Sequence, residues 1–456
     1  MSSPDLSSLA GSLGRPESLI TDLTGWEDYF HDATEESAEP LALILAESTE
    51  DVAATMRFAH DRHLPVVPRG AGTGLSGGCV PCPGSLLLSV ERMRRLEIEP
   101  QAQRAVCGPG VITKNLLDAA AEHGLTYPPD PASYEECSLG GNVAENAGGL
   151  RCKRFGVTRD YVLGLKAVLA DGLVLDTGLF CRNRGFNLGD LLIASEGTLA
   201  VVTEIAVRLV PIPDPGTTIL VAFGDAGDAA RAVAEITAAG VIPTIMEYLD
   251  GDAAACSNQY ESTEGLDRAA AILLLETAGD KDRQQRTMIE SICRACRCSY
   301  LRQAEDAAAA SELWRVRRNL SKAIRAAARF RYNEDVAVPV SQFMTLIAFV
   351  DELNHSGPLR VNAFGHAGDG NLHVSFLSMT GDDSELRLIH DYVERLYRRT
   401  LELGGTLTGE HGIGLHKGPY LGWEFDAPTL THMRLVKEAF DPGRRLNPDK
   451  VFADGR

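Results

Sequence analysis

PRGAGTGLSGG occupies positions 68–78 and decides the fold of the first part of the chain. Within it, Gly72, Gly74 and Gly77 match the GxGxxG pattern of dinucleotide-binding loops. A Rossmann loop must open a helix, whose N-terminus receives the pyrophosphate. The residues that follow here, GCVPCPGSLLLSV, contain two prolines and then an apolar run typical of a strand. The loop is therefore predicted to join strand to strand, with backbone N–H groups forming an anion nest; a plain glycine-rich loop is the alternative.

Two further glycine-rich stretches lie downstream. The longer one, PPDPASYEECSLGGNVAENAGGLRCKRFGVTRDYV, covers residues 128–162, and the shorter one, SEGTLAVVTE, covers residues 195–204. Glycine is needed wherever the main chain must approach a ligand closely, because it has no Cβ. The clustering of part of the 44 glycines in these stretches indicates a large, flat ligand that contacts the backbone.

The overall composition excludes several classes of protein. With 456 residues, 44% of them hydrophobic and 23% charged, the chain resembles ordinary globular proteins, and at roughly 150 residues per domain it holds two or three domains. A formal charge of −19 makes nucleic acid a poor main partner. No apolar run approaches the roughly 20 residues that span a bilayer, and the N-terminus lacks the features of a signal peptide. A cytoplasmic protein with mostly reduced cysteines is expected.

Apolar periodicity and capping residues predict the order of the elements. From Pro40 to the linker PIPDP at residues 211–215, short strands and helices alternate. Beyond the linker, RVNAFGHAGDGNLHVSF at residues 360–376 is typical of a β-hairpin with a glycine turn. Helices are predicted near Ser18–His31, after an N-cap at Ser48 or Thr49, and at Asp225–Gly240, Asp282–Cys293, Glu305–Arg329, Ser384–Leu403 and Ala427–Phe440.

Three histidines and one glutamate are the candidate reactive residues in the second half of the chain. His366 and His373 stand on the two arms of the expected hairpin, where their rings can converge. Glu410 and His411 follow in GGTLTGEHGIG, residues 404–414. Two imidazoles and one carboxylate suit Zn²⁺, or Mn²⁺ or Fe²⁺ with open coordination positions. The bare pattern leaves metal binding and ordinary core or surface histidines equally open.

The three glycine stretches together resemble the FAD-binding domain of the vanillyl-alcohol oxidase/p-cresol methylhydroxylase (PCMH) superfamily. Within it, the chain is similar to the group of glycolate oxidase FAD subunits, D-lactate dehydrogenases and D-2-hydroxyglutarate dehydrogenases. The resemblance implies an α+β fold, with a PCMH-type FAD-binding domain of two α/β subdomains at residues 41–215 and a substrate domain of antiparallel sheet and helices at residues 216–420. An N-terminal helical segment, residues 1–40, precedes them, and a C-terminal segment, residues 421–456, returns to the FAD domain.

The resemblance also implies how FAD is held. The loop at residues 68–78 wraps the pyrophosphate and SEGTL closes over the adenine side, although Ala200 stands where the family has a glycine. No histidine lies in the first loop, and Cys79 and Cys82 lack the βαβ surroundings of a redox pair. The flavin is therefore expected to be non-covalent. The residues implied in FAD binding are Pro68, Arg69, Gly70, Ala71, Gly72, Thr73, Gly74, Leu75, Ser76, Gly77, Pro129, Asp130, Ser133, Gly140, Gly141, Asn142, Asn146, Gly148, Gly149, Gly156, Glu196, Gly197, Val201 and Asn447.

Catalytic roles follow from the same resemblance. In the D-2-hydroxyacid dehydrogenases, the residues that match His366, His373 and Glu410 hold a divalent metal, for which Zn²⁺ is favoured here. The match of His411 is the general base, and the match of Asn371 lines the same site. These groups imply proton removal from a 2-hydroxyacid and hydride transfer from C2 to flavin N5.

Arg317 is the expected cation for the substrate carboxylate. It lies beside the apolar face of the helix in LWRVRRNLSKAI, residues 313–324, and a guanidinium can bind a carboxylate through two hydrogen bonds. The resemblance selects the same arginine. A solvated basic helix face is the alternative.

The substrate and the acceptor are predicted more coarsely. The strand after this helix reads YNEDVAVP, and its Asn333 and Glu334 favour a monocarboxylate such as glycolate or D-lactate over the alternative, D-2-hydroxyglutarate. Electrons are expected to pass to an acceptor other than NAD: an iron–sulfur partner subunit, a quinone, a cytochrome or oxygen. Attachment to the inner membrane through a partner, and a homodimer, stay open. The alternative of another class is a His₂Glu metallohydrolase without flavin.

Overall fold

The computed structural model describes residues 5–179, 187–213, 216–279 and 281–452. The chain forms two compact units. The first comprises residues 1–149, 156–212 and 410–456, and the second comprises residues 150–155 and 213–409. The first unit is therefore discontinuous, and its last stretch begins at Glu410, ahead of the border at residue 421 that the sequence suggests.

A four-stranded sheet opens the first unit. Its strands lie in the order Leu19–Ile20, Ala42–Leu45, Leu86–Ser89 and Val66–Arg69. The last three run parallel, and the first is antiparallel to its neighbour. All of Ala42–Leu45 is buried, because a parallel sheet of this kind is covered on both faces.

The helix Thr49–Arg62 covers one face of this sheet. Val52 and Met56 of the helix share a core with Ile44 of the strand. Ser48 caps the helix as predicted: its side chain accepts the Asp51 N–H, and the Asp51 carboxylate accepts the Ser48 N–H. This reciprocal capping box stabilises the first turn, where two backbone N–H groups would otherwise have no partner.

The N-terminal segment covers the opposite face without forming the helix predicted near Ser18–His31. In place of that helix the structure has the 3₁₀ turn Pro16–Ser18, the short strand Leu19–Ile20 and the 3₁₀ turn Glu27–Tyr29. Phe30 packs with Leu43 and Leu45 of the strand. The prediction was wrong because the spacing of Trp26, Tyr29 and Phe30 suits a helix, whereas Gly25 at a φ of +85° interrupts one.

A five-stranded antiparallel sheet forms the rest of the first unit. Its strands lie in the order Leu96–Glu99, Arg104–Cys107, Val201–Arg208, Val162–Val168 and Val174–Asp176. A two-stranded ribbon pairs Val210–Pro211 with Leu125–Thr126. The remaining helices of this unit are Ser7–Ala10, Thr113–Ala121, Leu139–Glu145, Gly189–Leu192, Leu421–Glu424 and Ala427–Phe440. Together with the second unit, these sheets and helices confirm the α+β class.

The second unit is built on a seven-stranded antiparallel sheet. Its strands lie in the order Cys298–Gln303, Thr217–Phe223, Ala271–Thr277, Ile245–Asp250, Arg360–His366, Asn371–Ser378 and Phe330–Ala337. Arg360–His366 and Asn371–Ser378 form the predicted hairpin. The helices are Cys152–Phe155, Ala226–Ala238, Gly251–Tyr260, Asp282–Ala295, Ala307–Arg318, Leu320–Ala326, Phe343–His355 and Asp383–Glu402.

One expected long helix is divided in two. Glu305–Arg329 was predicted as a single helix, whereas the structure has Ala307–Arg318 and Leu320–Ala326. Between them, the Asn319 side chain donates to Glu261 Oε2 at 2.7 Å. Asparagine favours helix ends because its side chain finds other partners, and this contact marks the break. The helices bury the four predicted apolar residues, Leu313, Val316, Leu320 and Ile324.

Candidate functional site

The glycine loop joins two strands, as predicted, and these strands run parallel. It follows Val66–Arg69 and leads to Leu86–Ser89. The Gly77 N–H donates to Asp32 Oδ2 at 2.9 Å, and the Ala71 N–H donates to Ser138 Oγ at 3.3 Å. A Cβ on Gly70 would lie 2.3 Å from that hydroxyl, so a side chain there would displace the serine or the loop. These hydrogen bonds to residues outside the loop fix the path of its backbone.

A cavity of the first unit opens onto this loop. It brings together sixteen of the residues predicted for FAD, from all three glycine stretches. These are residues 68–75 together with Ser133, Gly140, Gly141, Asn142, Gly148, Glu196, Gly197 and Val201. Glu410 and His411 line the same cavity. Backbone from distant parts of the sequence therefore meets around one space, as a large cofactor requires.

Eight of the residues predicted for FAD do not line this cavity: Ser76, Gly77, Pro129, Asp130, Asn146, Gly149, Gly156 and Asn447. One of them, Asn447, supports its wall. Asn447 Nδ2 donates to the carbonyl oxygens of Gly78 and Glu196 at 2.9 and 2.8 Å. The Glu196 carboxylate accepts the N–H groups of Ile413 and Gly414 at 2.8 and 2.7 Å. Glu196 thus lies at the cavity while its carboxylate braces the C-terminal stretch.

Sequence reasoning missed part of the lining. The helix Leu139–Glu145 was read only as a glycine-rich stretch, although Ser138 caps it by accepting the Gly141 N–H. The available signal was Ser138 itself, because serine is a favoured residue directly before the first turn of a helix. The unpredicted lining residues include Gly78, Cys79, Val90, Pro109, Pro131, Ala132, Cys137, Ser138, Ala144, Glu145, Ala147, Leu192, Ser195, Ala200 and Val202.

Arg69 at the start of the loop is engaged with the N-terminal segment. Its Nη1 donates to the His31 carbonyl oxygen at 2.5 Å and its Nη2 to that of Asp28 at 3.0 Å. The Cys79 Sγ atom lies 3.2 Å from Nη1. Burial raises the pKa of Cys79 to about 11, although Arg69 opposes the shift. This thiol is therefore protonated near neutral pH and a poor nucleophile.

The two histidines of the hairpin converge in the second unit. The ring centroids of His366 and His373 lie 5.4 Å apart with the planes at 88°, and both side chains are buried. Asn371 is the strand partner of His366 beside the turn, and its Oδ1 is buried without a hydrogen-bond partner among the described residues. Imidazole pairs and carbonyl oxygens are ordinary metal ligands. This donor set therefore suits a divalent cation.

Glu247 connects the histidine pair with Arg317, and sequence reasoning missed it. Its Oε2 accepts a hydrogen bond from Arg317 Nε at 2.7 Å, and its Oε1 is hydrogen-bonded to His366 Nδ1. Burial alone would raise the pKa of Glu247, but His366 and Arg317 outweigh it and lower the pKa to about 2. The signal was an acidic residue in the middle of the apolar strand Ile245–Asp250, since such a residue needs a partner when buried.

Two families match the sequence. Residues 40–178 match the FAD binding domain, and residues 212–451 match the C-terminal domain of FAD linked oxidases. The glycolate oxidase subunit GlcD of Bacillus subtilis is 36% identical over 96% of this chain and 94% of that protein. The D-lactate dehydrogenase of Anaerostipes hadrus is 32% identical over 93% of this chain and 92% of that protein.

Solved structures share the fold. p-Cresol methylhydroxylase with substrate bound has a TM-score of 0.80 at 14% identity, over 97% of this chain and 95% of that one. The 4-ethylphenol oxidase of Gulosibacter chungangensis has a TM-score of 0.77 at 21% identity, over 98% of this chain and 96% of that one. These matches confirm the PCMH-type fold. Among the described residues, no helix is both long and apolar enough to cross a bilayer.

Proposed function

Because the chain belongs to the FAD-linked oxidases, we propose that it oxidises a small 2-hydroxyacid to the 2-oxoacid, with glycolate or D-lactate as the substrate. The names of two relatives, a glycolate oxidase subunit and a D-lactate dehydrogenase, support this substrate class. The observation that carries the proposal is the buried pair of His366 and His373, linked through Glu247 to Arg317. A hydroxyacid needs a ligand for its hydroxyl oxygen and a cation for its carboxylate, and this arrangement offers both.

FAD is proposed to occupy the cavity of the first unit. The loop at residues 68–75 offers backbone N–H groups to its phosphates. When bound, the flavin accepts the hydride that leaves C2 of the substrate. The attachment is proposed to be non-covalent, and the high pKa of Cys79 supports this, because a protonated thiol does not attack the isoalloxazine.

His366, His373 and Glu410 are proposed to hold a divalent cation. Two imidazoles and one carboxylate favour Zn²⁺, and Mn²⁺ or Fe²⁺ also accept this ligand set. When bound, such an ion lowers the pKa of the hydroxyl that it ligates. His411, the next residue in the chain, is not one of these proposed ligands and is therefore available for proton transfer.

The remaining residues handle the proton and the carboxylate. His411 is proposed to remove the hydroxyl proton, because a neutral imidazole is a competent base near pH 7. Arg317 is proposed to bind the substrate carboxylate. Its Nε is already engaged by Glu247, so the terminal nitrogens remain for the substrate. Asn371 is proposed to line the same site.

One observation favours the second candidate, D-2-hydroxyglutarate. Arg331 stands in the strand Phe330–Ala337, and its guanidinium donates to Ser375 Oγ, Ser321 Oγ and Asn333 Oδ1 at 3.0, 2.9 and 2.8 Å. No carboxylate of the described residues pairs with it. Burial lowers the pKa of Arg331 to about 10, so it stays charged near neutral pH. A second carboxylate on the substrate would supply the missing counter-ion.

Electrons are proposed to leave through an iron–sulfur partner subunit, a quinone or a cytochrome. The word "subunit" in the name of the Bacillus subtilis relative supports a partner. Through such a partner the protein would lie at the cytoplasmic face of the inner membrane. A His₂Glu metallohydrolase, in which His411 activates water, has no use for a cavity lined by three glycine stretches.

A panel of hydroxyacids tests the proposal. Purified protein is expected to carry flavin absorbance, and anaerobic addition of glycolate or D-lactate is expected to bleach it. L-lactate tests stereochemistry, and D-2-hydroxyglutarate tests the role of Arg331. Faster bleaching by D-2-hydroxyglutarate would favour the second candidate. A colourless protein that hydrolyses esters or amides would overturn the flavin assignment.

A further inference from the structure

Glu247 is a fully buried carboxylate beside the histidine pair. It lies on the strand Ile245–Asp250, whose neighbour in the sheet is Arg360–His366. The register pairs Glu247 directly with His366 across the two strands. The side chain of Glu247 is fully buried, and that of His366 is 6% exposed. Backbone pairing therefore places the carboxylate against this particular imidazole.

Each oxygen of Glu247 serves a different donor. Oε2 accepts from Arg317 Nε at 2.7 Å, and Oε1 is hydrogen-bonded to His366 Nδ1. The Arg317 guanidinium also lies over the ring of Phe364, with Cζ 5.0 Å from the centroid. Glu247 is the one carboxylate paired with Arg317 in the described part of the chain. The arginine is thus fixed at Nε and along one face of its plane.

A purely structural ion pair would explain only part of this arrangement. The cost of burying a carboxylate can exceed what a single partner returns, and a structural ion pair is often replaceable by apolar side chains. Here the carboxylate is hydrogen-bonded to one particular nitrogen on each partner, Nε of Arg317 and Nδ1 of His366. A hydrogen on Nδ1 of His366 puts the lone pair on Nε2, which is the atom that ligates a metal. Engagement of Arg317 at Nε leaves its two terminal nitrogens side by side for an external carboxylate.

We propose that Glu247 is a positioning residue that prepares both halves of the substrate site at once. It holds His366 in the tautomer that ligates the metal through Nε2, and it holds Arg317 with its terminal nitrogens available to the substrate carboxylate. This inference rests on the proposed function, because it assumes a metal at His366 and a carboxylate at Arg317. Its consequence is that one substitution weakens two binding events that share no ligand.

Two substitutions separate the charge of Glu247 from its reach. Glu247→Gln keeps the volume but leaves one acceptor oxygen for two donors. Glu247→Asp keeps the charge but shortens the side chain by one methylene, so it cannot hold both partners. The control is Glu276→Gln on the adjacent strand Ala271–Thr277. Glu276 is 13% exposed, and Arg151 is its one ionic partner among the described residues.

The first readout is metal binding to the stripped protein without substrate. Titration with Zn²⁺ or Mn²⁺ in a calorimeter is expected to show a Kd raised about 10- to 100-fold in both Glu247 variants, the usual effect of removing such a carboxylate. The control variant should bind as the unchanged protein does. Flavin absorbance and thermal midpoint report whether the fold and FAD survive.

The second readout is the dependence of flavin reduction on hydroxyacid concentration at saturating metal. We expect a higher KM in both Glu247 variants with a smaller change in kcat, since Arg317 binds the substrate before and during reaction alike. Unchanged Kd for metal and unchanged KM in folded variants would overturn the inference. Loss of fold and FAD in both variants, with the control intact, would also overturn it and make Glu247 structural. If the unchanged protein binds no metal and oxidises no hydroxyacid, the proposed function itself fails.

Discussion

At the scale of single residues, two carboxylates on one strand have pKa values that are shifted in opposite directions. Glu247 and Asp250 both lie on Ile245–Asp250. Burial acts on both, but His366 and Arg317 lower the pKa of Glu247 to about 2. Burial raises the pKa of Asp250 to about 7, against two backbone N–H groups and with the help of Asp252 and Asp351. Cationic partners thus decide which of the two carboxylates stays ionised throughout the physiological range.

Asp250 makes stability depend on pH in a defined direction. Below about pH 4 it is protonated in both states, given an unfolded pKa of about 3.9. Between about pH 4 and pH 7 it is ionised only in the unfolded chain, so the free energy of unfolding falls as pH rises, by about 4 kcal/mol at most. Asp250→Asn lacks this titration. Its thermal midpoint relative to the unchanged protein is expected to rise from pH 5 to pH 8.

A constant offset between the two proteins would contradict this expectation. Such an offset is expected in addition, because Asp250 accepts the Ala253 N–H at 2.7 Å and the Ala363 N–H at 2.6 Å, and an amide has only one acceptor oxygen. Asparagine caps helices as well as aspartate does. The change with pH, rather than the offset, therefore isolates the titration.

His411 is the residue whose loss should slow chemistry most. It lines the cavity of the first unit, beside Glu410. His411→Ala is expected to lower the rate of flavin reduction about 10²- to 10⁴-fold, the usual contribution of a general base. FAD should stay bound, because the loop that is proposed to bind its phosphates is unchanged. Stopped-flow absorbance under anaerobic conditions measures both. His432→Ala, on the exposed side of Ala427–Phe440, serves as the control. An unchanged rate would exclude His411 as the base.

At the scale of elements, the glycine loop shows how distant parts of the chain depend on one another. Its Gly70 faces Ser138 Oγ, and that hydroxyl accepts both the Ala71 N–H and the Gly141 N–H. One serine therefore caps a helix and supports a loop. A side chain at position 70 would disturb this shared contact, because the Cβ would lie 2.3 Å from the hydroxyl.

Gly70→Ala should consequently weaken FAD binding. The serine must move or the loop must shift, and either change disturbs the hydrogen bonds that Ser138 accepts from Ala71 and Gly141 beside the cavity. We expect purified Gly70→Ala to carry less flavin per chain than the unchanged protein, measured as the ratio of flavin to protein absorbance. Gly422→Ala is the matched control, since no atom lies within 4 Å of the added Cβ. Full flavin content in Gly70→Ala would show that the loop does not need this contact.

Local patterns predicted some elements well and long-range contacts escaped them. The hairpin of residues 360–378 and the helix Ala427–Phe440 are fixed by turn glycines and apolar spacing, which the sequence displays. Glu247 gave no such pattern, because its role depends on a strand more than a hundred residues away. The helix predicted in the N-terminal segment was wrong for the same reason: the aromatic residues of this segment are spaced for a helix, but they pack on a sheet.

At the scale of the whole molecule, an acidic protein is proposed to bind an anionic cofactor and an anionic substrate. The formal charge is −19, so the overall field repels both ligands. Arg317, Arg331 and the loop backbone are proposed to attract these ligands over short distances, where screening by salt is weak. A change in ionic strength should therefore alter the rate at which the ligands meet the protein more than it alters their affinity. Binding over short distances requires that these groups be held rigidly. The C-terminal stretch supplies part of that support in the first unit.

Asn447 tests the support that the end of the chain gives to the first unit. Its Nδ2 donates to carbonyl oxygens of Gly78, in the glycine loop, and of Glu196. In Asn447→Ala both oxygens lose this donor, which costs about 1–3 kcal/mol when such groups are buried. We expect a thermal midpoint lower by a few degrees and weaker retention of FAD during dialysis, because the loop is released at one end. Asn115→Ala, at an exposed helix position, should change neither. If Asn447→Ala keeps FAD as firmly as the control does, the glycine loop is held well enough by Asp32 and Ser138, and the returning tail serves the core of the unit rather than the cofactor.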